Sequence, residues 1–170
     1  HQKQASQVKS GEESESLEWP DSQTETYRKF ITNYLELKDK LVNGEQASSE
    51  AGKMLDNLNQ IDMGAFSHKG HEQYMTYQKT ISEQTKNIKN IESLEEQRNH
   101  FIRLSDAVIS MVKTFRIQDG KLYVQYCPMA NDNQGAFWLS SEEQIRNPYY
   151  GDAMLTCGEV RKELGSSGVR

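Results

Sequence analysis

A chain of 170 residues, 35% hydrophobic and 26% charged, has the size of one domain that buries its own core. Its net charge of −5, with no lysine or arginine cluster interleaved with aromatics, argues against a nucleic-acid partner. No apolar run approaches the ~20 residues that cross a bilayer. Residues 1–21 (HQKQASQVKSGEESESLEWPD) are rich in Gln, Ser, Glu and Lys. They read as a flexible polar tether, such as follows the lipid-bearing cysteine of a bacterial lipoprotein; an ordinary disordered terminus fits equally. His1 is preceded by no basic and apolar leader, so a signal removed or trimmed upstream is the expectation.

Residues 22–164 read as a single domain. A first helix is expected from about Ser22, with Tyr27, Phe30, Ile31, Tyr34, Leu35, Leu41 and Val42 recurring at three and four residues, and Gly44 as its stop. A second is expected from Ser48 or Ser49 to Asn59, with Ala51, Met54, Leu55 and Leu58 inward. The third covers about Lys69 to Asn90. Its stripe of His71, Tyr74, Met75, Gln78, Ile81, Thr85 and Ile88 is polar or sulfur-bearing in its first half. The fourth opens on Ser93-Leu94-Glu95-Glu96, a capping box in which a hydroxyl and a carboxylate satisfy free N–H groups of the first turn. Leu94, Phe101, Leu104, Val108, Met111, Val112 and Phe115 then form its apolar face. Four helices with short joints predict a mainly α protein, an antiparallel four-helix bundle.

After Gly120 the pattern changes. Residues 121–127 (KLYVQYC) alternate enough to predict one short strand. The turn-rich segment that follows, with a short helix from a second capping box at Ser140 and Glu143, predicts an ordered, loop-rich C-terminal cap over residues 121–164. Residues 165–170 read as a disordered tail.

Chemistry concentrates in that cap. Cys127-Pro128-Met129 and Met154-Leu155-Thr156-Cys157 place four sulfur atoms on two short segments. Pro128 biases Cys127 toward extended backbone, where Cys127 and Met129 point the same way. Met154 and Cys157, three apart, share a face in a helical turn, and so do His71 and Met75, four apart. Thiolate and thioether donors select soft ions, above all Cu(I) or the chemically similar Ag(I), with Zn(II) as the thiolate alternative. The plainer readings are methionines as core filler, Cys127 and Cys157 as a disulfide, and His71 as a helix-face histidine. No nucleophile–base spacing, phosphate loop or zinc-helix motif points to an enzyme.

The words Tyr123-Val124-Gln125-Tyr126-Cys127-Pro128-Met129-Ala130, Trp138-Leu139-Ser140, Ile145-Arg146-Asn147-Pro148-Tyr149-Tyr150-Gly151 and Met154-Leu155-Thr156-Cys157-Gly158-Glu159-Val160 are specific. With weaker helical words upstream, they resemble the small domain of unassigned function appended to some periplasmic adaptor subunits of copper/silver efflux pumps. That domain also occurs as stand-alone envelope proteins, particularly in Bacteroidetes. The resemblance spans residues 25–164. It implies a mainly helical domain in the periplasm or cell envelope, handling heavy metal in support of resistance or efflux. An efflux-pump adaptor or a metallochaperone is the implied partner. It also implies that Cys127, Met129, Met154 and Cys157, with His71 and Met75, carry the metal. Where members often have Trp before that last Met, this chain has Tyr74. The alternative is a disulfide-stabilised envelope interaction module that binds no metal.

Overall fold

A computed structural model describes residues 17–165 of the chain. Residues 1–16 of the tether expected over 1–21, and residues 166–170 of the tail expected over 165–170, lie outside the described residues. The described part is mainly helical, with one small antiparallel sheet. Four long helices come first: α1 (Thr24–Val42), α2 (Ser48–Asn59), α3 (His68–Asn90) and α4 (Leu94–Thr114). Strands β1 (Leu122–Cys127), β2 (Ala136–Ser140) and β3 (Glu159–Leu164) follow, in the order β2-β1-β3. No helix among the described residues is long and apolar enough to cross a membrane.

Local chemistry accounts for the helix ends. Ser67 and Ser93 hold extended backbone before α3 and α4, and their side chains accept from Gly70 N and Glu96 N. These bonds satisfy donors that the first helical turn leaves free. Gly44, at φ +73°, turns the chain after α1 in a conformation that a Cβ disfavours.

Consecutive helices pack on one another, and α4 also carries β2. Tyr34 of α1 stacks on Phe101 of α4, with ring centroids 5.3 Å apart. The inward face of α3 is Gly70, Tyr74, Ile81, Thr85 and Ile88. His71 and Met75, expected on that stripe, are exposed, because each lies one residue, about 100° of helix rotation, past an inward position. Trp19, counted in the tether by its polar surroundings, packs edge-on against Phe66 at 5.3 Å and Phe115 at 5.5 Å. Tyr27 and Tyr74 complete that cluster.

Gln97 ties three helices together. It is fully buried. Its Oε1 accepts from Ala47 N, before α2, at 3.0 Å. Its Nε2 lies 2.9 Å from Ile88 O, 2.8 Å from Ile91 O and 3.0 Å from Ser48 Oγ. One amide thus satisfies the start of α2 and the end of α3 from a position on α4.

The C-terminal part differs from expectation. One strand and a loop-rich cap are predicted; three strands form. β1 pairs antiparallel with β2 on one side (Val124 opposite Leu139, Cys127 opposite Ala136) and with β3 on the other (Tyr126 opposite Glu159). β3 reads Glu-Val-Arg-Lys-Glu-Leu and is exposed nearly throughout. Its sequence lacks the alternation that marks a half-buried strand, and it is extended because β1 offers a free edge. The helix expected from Ser140 does not form. Ser140 ends β2, and its Oγ accepts from Glu142 N at 3.0 Å, a turn rather than a cap. The sheet is fixed to the helices by the Tyr34 hydroxyl, which accepts from Leu139 N at 3.0 Å and bonds Ser105 Oγ at 2.7 Å.

Replacing Gln97 by Leu strands Ala47 N, Ile88 O and Ile91 O without partners; the expected loss is about 3 kcal/mol of unfolding free energy in urea titrations. An unchanged midpoint contradicts the tie.

Candidate thiol site

Cys127 ends β1 and is fully buried; Cys157 follows the 3-10 turn Gly151–Met154 and is half-buried. Both are free thiols, and their Sγ atoms lie 3.1 Å apart. Strand pairing explains the meeting. Glu159 opens β3 opposite Tyr126, so the chain just before β3 arrives beside the end of β1. Gly158 makes the approach at φ +142°; a Cβ there would stand 2.9 Å from Tyr126 O, which only glycine avoids.

The segment from Ser141 to Gly158 is fastened across the sheet. Gln125 Nε2 donates to Glu142 O at 2.9 Å and Glu143 O at 3.1 Å. Trp138, opposite Gln125 on β2, is fully buried and packs edge-on to Tyr149 at 5.8 Å. Asn147 organises the rest. Its side chain is buried, with Nδ2 donating to Cys157 O at 2.8 Å. Its Oδ1 accepts from Tyr149 N at 2.8 Å and from Tyr150 N at 3.3 Å. Its own N–H donates to Leu155 O at 2.8 Å. One residue therefore sets the position of the Cys157 backbone.

The other four expected donors fare differently. Met154 is half-buried, and its carbonyl accepts from Cys157 N at 3.1 Å, so the two stand in one tight turn, as their spacing predicts. The extended run expected through Met129 stops at Cys127. Pro128 and Met129 lie in a turn, and Met129 is 43% exposed while Cys127 has no exposure. Tyr150 pins that turn, its hydroxyl donating to Met129 O at 2.6 Å. His71 and Met75 are not brought to the pair. They flank Tyr74, which joins Trp19, Phe66 and Phe115 beyond the C-terminal end of α4. Tyr149, in the thiol-bearing segment, packs instead on Phe101 near its N-terminal end. The 14 residues from Phe101 to Phe115 span roughly 21 Å of helix. Among the described residues, no three His, Cys, Asp or Glu side chains cluster to hold a metal ion.

Electrostatics bear on Cys157. Its hydrogen bond to Cys127, its burial and the neighbouring thiol's charge all push its pKa above the ordinary thiol value. The neutral thiol is thus favoured near pH 7.

Sequence reasoning missed Asn147 and Tyr150 as positioning residues. Asn147-Pro148 carried a turn signal, but nothing in it said which carbonyl the amide meets.

A family model described as "Protein of unknown function (DUF3347)" matches residues 30–120, more than half of the chain. The match covers α2, α3, α4 and most of α1, and stops before β1, so both cysteines lie outside it. No curated protein and no solved structure matches.

Two outcomes are expected at this site. Asn147→Ala leaves Cys157 O and Tyr149 N unpaired and lowers stability by about 3 kcal/mol in denaturant titrations. Cys127→Ala removes the bond and charge that raise the Cys157 pKa, so the pH midpoint of Cys157 alkylation falls toward that of an ordinary thiol; a midpoint that stays put contradicts the assigned cause.

Proposed function

The chain belongs to that family, whose function is unknown, and on this premise we propose that it captures a soft monovalent cation, Cu(I) or Ag(I), between Cys127 and Cys157. Met154 supplies a thioether from the same turn, and the exposed Met129 serves the entering or leaving ion. The observation that carries the reading is the pair of free thiols 3.1 Å apart, joined from segments 30 residues apart in the chain. Two sulfurs on a common tetrahedral metal, each about 2.3 Å from it, stand about 3.8 Å apart. The pair therefore opens by less than an ångström to admit an ion. Cys127 is fixed in the sheet, whereas Cys157 sits on a half-exposed loop, so Cys157 makes the adjustment. Binding displaces the thiol protons, and the raised pKa of Cys157 makes affinity climb with pH.

Zn(II) draws less support, since among the described residues no His, Asp or Glu joins the pair to complete a four-donor set. We read the scaffold as an antiparallel four-helix bundle; the Tyr34–Ser105 and Tyr34–Phe101 contacts between its first and last helices support this. The Cys-Pro-Met and Met-x-x-Cys words support a place in the periplasm or envelope, passing the ion to an efflux-pump adaptor or metallochaperone. In this reading the protein is a carrier and not an enzyme, and His71 and Met75 have no part in the site.

The short sulfur–sulfur approach also favours a second reading. Two thiols that lose two protons and two electrons to an oxidant become a disulfide. It would close a loop of about 31 residues and add about 3–4 kcal/mol of stability to an interaction module.

Competition against a colorimetric Cu(I) chelator separates the readings. The reduced protein is expected to take up one Cu(I) per chain. Cys127→Ser or Cys157→Ser weakens uptake about 100-fold, and Met154→Leu about 10-fold. His71→Ala and Met75→Leu leave it unchanged. Failure of the reduced protein to take up Cu(I), with no free thiols in protein prepared without reductant, selects the disulfide module.

A further inference from the structure

A cleft of about 760 Å³ opens where the first turns of α4 meet the chain around residues 130–132 and 149–150. Arg98 lines it, and the surroundings of that guanidinium are unusual. Its Nη2 donates to Leu41 O at 2.7 Å, near the C-terminal end of α1. Its Nε is sealed from solvent and has no hydrogen-bond partner, and no carboxylate among the described residues lies within ion-pair distance. Gly151 gives it room, since a Cβ at that position would stand 2.7 Å from Nη2. Burial lowers the Arg98 pKa, as expected of a cation drawn out of water without an anion.

The rim has the opposite sign. Glu95, Glu96 and Asp132 line the same cleft and are exposed. Among the described residues, none of the three has a side-chain hydrogen bond or ion pair. Leu94, Ile102 and Tyr150 add apolar wall. A simple anion drawn to Arg98 meets three carboxylates, and a simple cation drawn to the rim meets an uncompensated guanidinium. A ligand that carries both charges satisfies both ends.

We propose that this cleft binds a zwitterion of amino-acid or short-peptide size, its carboxylate on Arg98, its ammonium on Glu95 and Asp132, and its apolar side chain against Leu94, Ile102 and Tyr150. With Nη2 on Leu41 O and Nε sealed, Nη1 is the donor that meets this carboxylate, in a charge-assisted hydrogen bond. The volume falls in the range of small-molecule sites. This site is separate from metal capture and does not rest on it.

Calorimetric titration of the whole chain with glycyl-leucine tests the assignment. Saturable binding is expected, with N-acetyl-glycyl-leucine and glycyl-leucinamide each about 10-fold weaker, since each has lost one charge. Arg98 also holds the end of α1, so its removal risks the fold. Glu95→Gln and Asp132→Asn are surface changes that leave the fold intact. Each is expected to weaken glycyl-leucine several-fold and not to weaken the acetylated peptide, an anion that a lost carboxylate repels less. Absence of glycyl-leucine binding at millimolar concentration, or equal binding of the blocked and free peptides, overturns the proposal.

Discussion

The side-chain amide of Asn147 is the point on which the C-terminal chemistry depends. A buried amide that cannot reach water must find partners within the protein, and this one finds them in the backbone of its own loop. Its donor takes the Cys157 carbonyl; its acceptor takes the N–H groups of two tyrosines. Tyr149 in turn donates to Phe137 O in β2, and Tyr150 donates to Met129 O just beyond β1. The loop is thereby held at three places, and the thiol it carries has little freedom in where it stands. The meeting of Cys127 and Cys157 follows from these hydrogen bonds together with the pairing of β1 and β3.

Beneath the loop lies a division of labour. The helices and the sheet share one core, and Gln97 ties three of the helices where they converge. The family match ends with these helices, and the sheet begins just after it. The join between the two parts is a buried polar contact, the Tyr34 hydroxyl between Ser105 and Leu139. Hydrophobic burial alone is tolerant of sliding, whereas a hydroxyl that must meet one N–H fixes the sheet's position on α4.

The chain between β1 and β2 has a further constraint. Asn131, Asp132 and Asn133 stand at φ 58°, 53° and 66°, and Gly135 at 91°. Left-handed backbone is tolerated best by Gly, Asn and Asp, and those are the residues present. This tight left-handed turn brings Ala130, Asn131 and Asp132 to the mouth of the cleft beside Arg98. The same connection also carries Met129 away from Cys127, so the two neighbouring sulfur atoms occupy different environments.

Much of the helical half was legible in the sequence. Ser48 to Asn59 and the start at Ser93 follow directly from periodicity and from a hydroxyl preceding an apolar run, because helix formation and capping are decided within a few residues. The pairing of the two cysteine segments was legible only as a possibility of chemistry. What tertiary structure decided is everything that depends on residues far apart in the chain. β3 is a strand because β1 needed an edge partner. His71 and Met75 face solvent because Tyr74 turned inward to meet Phe66 and Phe115. Trp19 is packed because that aromatic cluster had room for it. Local pattern specifies which face of a helix is apolar, but the choice of neighbour is made by packing across the whole molecule, and that information lies in no short stretch of sequence.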